Sequence, residues 1–145
     1  MNPMIRLLLA ITLLWSWLGP ATAGEEVEAS DMVRGGMLAI QMIDQGRAGE
    51  LWDGATPAAR KRVSRADFVS QVSRSRSTIG APQMRTWVAV NRQVVADADP
   101  DTAGQYVSVE YETRFANKPA AMARELVSFH LDRDGTWRFS GYVLR

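Results

Sequence analysis

Three charged residues fall at positions where the hydrophobic pattern predicts buried side chains: Asp44, Arg76 and Glu125. At about 100° per residue, Arg76 lies on the same helical stripe as Phe68 and Val72. A guanidinium at such a position must meet a carboxylate or an anionic ligand, because an unpaired buried charge is strongly destabilising. Arg76 is therefore either half of an internal ion pair or an anion-binding group.

Glu125 is the partner that we expect for Arg76. It shares strand parity with Val127 and Phe129, so it points toward the core side of its strand. The alternative is that Glu125 lies at the end of the strand, where the side chain has already turned outward. We predict that Arg76 and Glu125 form a buried or half-buried pair across the interface between helix and sheet.

Asp44 falls between Met37 and Ile40 on the apolar face of the first predicted helix. Because it lies near the helix C-terminus, it faces the negative end of the macrodipole. Three interpretations are open: hydrogen bonds to loop amides after Gly46, an ion pair with an arginine, or a proton-transfer carboxylate in a pocket. Arg85 is a further candidate for the same set of pocket or buried polar residues.

No catalytic constellation accompanies these residues. The sequence has no Cys, which excludes thiol nucleophiles, disulfides and cysteine-ligated metals, and one His, which cannot build a multi-histidine metal site. That residue, His130, has the parity of the outer sheet face. The sequence also lacks a Gly-x-Ser-x-Gly elbow and a phosphate-binding glycine loop. We predict no catalytic residues, no metal and no cofactor.

Residues 60–92 are strongly basic, with eight Lys or Arg residues against Asp67 alone. Such a segment could bind an anionic partner, such as lipid head groups or surface polysaccharide. It could equally be a solvated helical face that neutralises the acidic first helix. We do not expect nucleic acid as a partner, because the two aromatic residues of the segment, Phe68 and Trp87, have the pattern of core residues.

The elements that must position these side chains change type after Pro82. Helices are predicted at 30–45, 49–53, 58–63 and 65–79, and strands at 83–95, 105–116, 121–132 and from 137 onward. Asp134-Gly135 predicts a hairpin turn, and Gly141 a bulge or bend in the last strand. Helices first and strands second indicate an α+β fold. We predict N-terminal helices packed on a curved, cone-like, four-stranded antiparallel meander sheet.

Apolar residues on the expected outer surfaces predict a homodimer that pairs through the outer sheet face. Two of them lie on the first helix, opposite its main apolar face, and four lie at sheet positions whose parity points outward. They are Leu38, Met42, Tyr106, Leu126, Tyr142 and Leu144.

Residues 1–23 have the layout of a secretory signal peptide. Arg6 is followed by an apolar run from Leu7 to Leu18, which is too short to span a bilayer, and then by Ala21-Thr-Ala23. We expect cleavage after Ala23, an acidic lead-in over 24–29, and a single α+β domain over 30–145. The expected location is the bacterial periplasm or the exterior.

The order and spacing of several short pieces resemble the bacterial domain-of-unknown-function family 4019 (DUF4019). The pieces are Ile43-Asp44-Gln-Gly46, Leu51-Trp52, Phe68, Arg76, Ile79-Gly80, Arg85, Gly104-Gln-Tyr106-Val, Tyr111-Glu-Thr-Arg-Phe115, Glu125 and Asp134-Gly135-Thr-Trp137-Arg-Phe-Ser-Gly141-Tyr142. The resemblance implies a cone-shaped fold similar to the nuclear-transport-factor-2-like and cystatin-like group. It implies no activity, because the family has none assigned. The wider fold group includes isomerases, dehydratases and binding modules, so the fold does not decide the function.

These observations predict an exported, non-enzymatic binding or assembly domain whose partner is an unknown protein or envelope component. One alternative is a small-molecule enzyme or carrier, built around Asp44, Arg76 and Glu125. A second alternative is a membrane-surface protein that uses residues 60–92. A cleft of roughly 300 Å³ or more, with those polar groups converging on it, would favour the enzyme.

Overall fold

The computed structural model describes residues 27–145 and places four helices before four strands. The helices are α1 (Ala29–Asp44), α2 (Ala48–Asp53), α3 (Pro57–Arg62) and α4 (Arg65–Arg76). The strands are β1 (Pro82–Val95), β2 (Gly104–Phe115), β3 (Ala123–Leu131) and β4 (Trp137–Leu144). The predicted signal peptide, and residues 24–26 of the lead-in, lie outside the described residues, so cleavage after Ala23 stays a prediction.

The strands form one open antiparallel sheet in the order β1-β2-β3-β4, which confirms the predicted α+β meander. Alternate residues of β2 are buried on the face toward the helices, with Val107, Val109 and Tyr111 almost fully enclosed. Tyr111 also donates a hydrogen bond to the carbonyl oxygen of Val33 in α1 (2.6 Å), which fixes that helix on the sheet. Within residues 27–145, no helix is long and apolar enough to cross a membrane.

The ends of α4 follow from local side-chain chemistry. At its start, the Ser64 side chain accepts a hydrogen bond from the backbone N–H of Asp67 (3.1 Å) and so caps the helix. The helix ends at Arg76, three residues before the predicted end. The hydroxyls of Ser75 and Ser77 bond to carbonyl oxygens three residues back, and such bonds compete with helical ones.

A bulge in β4 reverses which of its side chains face the core. Ser128 is opposite Gly141, but Phe129 is opposite Phe139, so Ser140 is the extra residue. Beyond the bulge, Tyr142 and Leu144 share the inner face, while the Val143 side chain is 48% exposed. The expectation that Tyr142 and Leu144 lie on the outer face was therefore wrong, because an inserted residue shifts the parity of a strand by one.

Two further burial predictions were wrong. His130 has outer parity but is fully buried, because the β1–β2 connection and the residues around Thr56 cover it. Trp87 shares the inner face with Tyr111 but is 49% exposed, because β1 is an edge strand with a neighbouring strand on one side only. Two other tryptophans, Trp52 and Trp137, pack half-buried against the core.

Candidate functional site

Four charged side chains meet between the helices and the sheet, and we call them the four-charge cluster: Asp44, Arg76, Arg85 and Glu125. Asp44 ends α1, Arg76 ends α4, Arg85 lies near the start of β1 and Glu125 near the start of β3. The structure thus brings together all four of the candidate site residues. The side chain of Glu125 is completely buried, and those of the other three are 8–18% exposed.

Each carboxylate of the cluster contacts both guanidinium groups. Arg85 Nε donates to Glu125 Oε1 (2.7 Å), and Arg85 Nη1 donates to Asp44 Oδ2 (2.9 Å). Arg76 also bonds to Asp44, and its Nη1 lies 3.5 Å from Glu125 Oε2. The predicted pair between Arg76 and Glu125 is present, but the closer cationic partner of Glu125 is Arg85. The two positive and two negative charges balance inside the cluster.

Neutral side chains complete the shell around Glu125. The Thr113 hydroxyl donates to Oε1 (2.5 Å), and the Tyr142 hydroxyl donates to Oε2 (2.6 Å). The guanidinium of Arg76 also lies over the ring of Phe115, 5.0 Å from its centroid, at cation–π distance. Throughout residues 27–145, every buried side-chain nitrogen or oxygen has a hydrogen-bond partner. The cluster therefore has no unsatisfied buried polar atom to which a ligand would bond.

The protonation states that these contacts favour are those of a stable ion network. Burial raises the pKa of Asp44, but the hydrogen bonds and charges of Arg85 and Arg76 outweigh it, so the pKa lies below its usual value. Burial and the neighbouring Glu125 carboxylate raise the pKa of Tyr142, so this phenol keeps its proton at neutral pH. A carboxylate whose pKa is lowered is a weak general base, which argues against proton transfer by Asp44.

A large cleft lies beside the cluster rather than over it. It has a volume of about 440 Å³ and is lined by residues from α2 through α4 and from β4. Trp52, Phe68 and Phe139 supply aromatic walls, and Arg62 and Asp67 supply charge. None of the four cluster residues lines this cleft. Tyr142, which donates to Glu125, also lines this cleft.

A second buried polar network, missed by the sequence analysis, surrounds His130. Its Nδ1 lies 2.6 Å from Asp132 Oδ1 and its Nε2 lies 2.8 Å from the Ala103 carbonyl oxygen. Thr56 donates to the same carboxylate, and so does Arg138 Nη1 (2.8 Å to Oδ2). The network joins three connecting segments at one end of the sheet. The sequence offered one signal for this network, an Asp two residues after the single His. Nothing in the sequence indicated that Thr56 belongs to it.

The basic segment 60–92 is partly neutralised within the molecule. Lys61 pairs with Asp101 (2.6 Å), and Arg65 pairs with Asp53 (2.9 Å). Two more of its eight cations, Arg76 and Arg85, belong to the four-charge cluster. Over residues 27–145, no group of three or more acidic or histidine side chains is arranged to hold a metal ion.

The fold and the site together define a small α+β domain with a self-neutralised polar interior and a separate cleft. The model of the family described as "Protein of unknown function (DUF4019)" matches residues 36–142, which is most of the chain. The chain therefore belongs to the DUF4019 family, as the resemblance indicated. Comparison with curated proteins gave no match.

Proposed function

We propose that this chain is an exported, non-catalytic binding or assembly domain whose partner is a protein or another envelope component. The observation that supports this function is that the four-charge cluster lies apart from the cleft. An enzyme site needs reactive groups that converge on a bound substrate. Here the four charged candidates bond to one another, and none of them lines the 440 Å³ cleft.

The proposal of export rests on the pattern of residues 1–23. Cells that process the chain should release a protein that begins at Gly24, and intact-mass analysis of the exported fraction measures this directly. A secreted or periplasmic mass that retains Met1–Ala23 would contradict cleavage, and recovery of the full-length chain from the cytoplasm alone would contradict export.

The proposal of a binding function can be tested by photo-crosslinking in cells. A photoreactive benzoylphenylalanine at Gln71 lies on the cleft wall, whereas the same group at Ser73, also exposed on α4, does not line the cleft. We expect a discrete crosslinked species from position 71 and none from position 73. Equal labelling from both positions, or labelling from neither, would contradict a partner that occupies this cleft.

A further inference from the structure

Three clefts join into one groove between α4 and the edge strand β4, and we call it the α4–β4 groove. The cleft of about 440 Å³ shares Phe68, Gln71 and Tyr142 with a second cleft of about 220 Å³. The second shares Ser75 and Leu144 with a third cleft of about 310 Å³. The groove therefore follows β4 from its bulge to its C-terminal end.

The edge of β4 that borders the groove has unused backbone groups. Arg124 and Arg145 exchange both of their backbone hydrogen bonds (2.6 and 2.9 Å). Hydrogen-bonded and non-hydrogen-bonded pairs alternate along an antiparallel ladder, so Val143 also bonds to β3. The backbone N–H and C=O groups of Tyr142 and Leu144 therefore point away from β3. Among residues 27–145, no group bonds to these four backbone atoms.

Pairing along this edge already begins within the protein. The backbone N–H of Thr56 donates to the carbonyl oxygen of Phe139 (2.8 Å), on the side of β4 that faces away from β3. The connection between α2 and α3 thus covers the first part of the edge. The part from Ser140 to Leu144 is left open, next to the groove.

We propose that an extended segment of a partner protein adds to the open part of β4 as a fifth strand. This inference rests on the proposed binding function and names its partner class. In strand addition, backbone bonds supply affinity and pockets for alternate side chains supply specificity. Guest residues opposite Tyr142 and Leu144 are two positions apart and face the same side as these two. Their side chains therefore enter successive parts of the groove, where apolar residues fit.

The charge at one end of the groove indicates a further property of the guest segment. Ile79, Phe115 and Leu144 form apolar walls of the third cleft, and the exposed residues Lys118 and Arg145 also line it. The side chain of Arg145 has outer parity and approaches Glu110 at 3.7 Å, so we assign the positive charge at this end of the groove to Lys118. An acidic side chain or a C-terminal carboxylate at this end of the guest would complement Lys118. A second copy that paired antiparallel through its own β4 would place Ser140 and Gly141 at this end, and neither is acidic, so we favour a different protein as guest.

The test measures fluorescence anisotropy of labelled peptides with the exported protein. One peptide, Val-Thr-Val-Thr-Val-Asp with an amidated C-terminus, carries alternating apolar residues and an acidic side chain. A second ends in a free carboxylate instead of the aspartate, and a third has the same composition as the first with the three valines adjacent. We expect the two alternating peptides to bind at least tenfold more tightly than the third. Whichever of the two binds more tightly shows whether the groove prefers an acidic side chain or a C-terminal carboxylate.

Matched variants place the binding in the groove. Ser75 lines the second and third clefts, so Ser75→Trp should fill the groove and weaken binding at least tenfold. Ser73→Trp, two residues away on the same helix and outside the groove, should leave affinity unchanged. N-methylation of the peptide nitrogens that face β4 should abolish binding, whereas N-methylation of the alternate nitrogens should preserve it.

Each failure has a distinct meaning. If the adjacent-valine peptide binds equally, or if Ser75→Trp has no effect, strand addition in the groove is wrong. If no peptide binds while Gln71 still crosslinks to a partner in cells, strand addition is wrong and the proposed binding function stands. If crosslinking from Gln71 is absent as well, both strand addition and the proposed binding function are wrong. A concentration-dependent dimer that Ser75→Trp abolishes would show that a second copy fills the groove and would overturn the choice of guest.

Discussion

Arg85 is the residue on which the four-charge cluster depends most. Arg85 bonds to both carboxylates, and its side chain is less exposed than that of Arg76, at 8% against 13%. Replacing it by Met keeps much of its volume but leaves the completely buried Glu125 with a cationic partner only at 3.5 Å. We expect Arg85→Met to lower the free energy of unfolding by ~3–5 kcal/mol, because a buried charge then lacks its partner.

Arg76→Met should cost less than Arg85→Met, because Arg85 still bonds to both acids after the change. Urea denaturation of both variants measures the difference, and Arg74→Met, an exposed change on the same helix, is the control. A larger loss from Arg76→Met than from Arg85→Met would show that our assignment of roles inside the cluster is wrong.

His130 joins a carboxylate and a backbone carbonyl through its two ring nitrogens. His130→Phe would keep the aromatic contact with Tyr106, whose ring centroid lies 4.6 Å away, but would remove both ring nitrogens and their hydrogen bonds. We expect it to destabilise the fold by ~1–3 kcal/mol, the typical cost of an unsatisfied buried acceptor. Ser128→Ala, a half-buried hydroxyl change on the same strand and face, is the control for thermal melts. An unchanged melting temperature for His130→Phe would contradict the hydrogen bonds we describe.

At the scale of elements, the bulge in β4 decides which residues reach the cluster and the groove. Deleting Ser140, the extra residue, would leave Gly141 opposite Ser128 and Tyr142 opposite Val127, so Tyr142 would stay on the inner face beside Glu125. We expect this deletion to keep the native fold. Deletion of the neighbouring Phe139 is the matched comparison: it would place Ser140 opposite Phe129 and should lower the free energy of unfolding by ~3–5 kcal/mol, because a buried aromatic ring is lost. Near-UV circular dichroism and urea denaturation measure both variants. Loss of native structure on deletion of Ser140 would contradict its assignment as the extra residue of the bulge.

The same bulge shows where prediction from sequence ends. The hydrophobic period and the turn residues were sufficient to predict four helices and four strands, because each of these depends on neighbours in the chain. The sequence also indicated a bend near Gly141, but the parity beyond a bulge depends on which residue is inserted. That insertion at Ser140 is visible only in the pairing with β3.

The candidate site was predicted in the same uneven way. Arg76, Asp44 and Glu125 stood out because each is a charge in an apolar pattern. Arg85 carried no such signal, since its strand is an edge with weak alternation, yet it is the central donor of the cluster. The groove could not be predicted, because it depends on the distance between α4 and β4 rather than on any local pattern.

At the scale of the whole molecule, the ion networks predict loss of stability in acid. Burial raises the pKa of Asp44 and of Asp132, but their hydrogen bonds to cationic and hydroxyl partners outweigh it and lower both values. The hydrogen bond from Arg138 lowers the pKa of Asp134 to about 2. Unfolding returns these groups to values near 3.9, so the unfolded chain binds more protons in acid. Stability is therefore complete above about pH 4 and falls as the pH drops toward 2.

Urea denaturation between pH 7 and pH 2 measures this loss. Asp44→Asn should be less stable than the native protein at pH 7 and should lose less on acidification, because one of the linked carboxylates is gone. Asp31→Asn removes an exposed carboxylate from the same helix and controls for net charge. A native protein whose stability is constant from pH 5 to pH 2 would contradict the networks.

The central claim is that function belongs to the α4–β4 groove and that the four-charge cluster is structural. The most direct test is the crosslinking yield from Gln71 in cells, compared between Ser75→Trp and Arg76→Met and scaled to the amount of folded protein. Ser75→Trp fills the groove and spares the cluster, whereas Arg76→Met weakens the cluster and leaves the groove open. We predict that the crosslink is lost with Ser75→Trp and retained with Arg76→Met. A crosslink that survives Ser75→Trp but disappears with folded Arg76→Met would contradict the account.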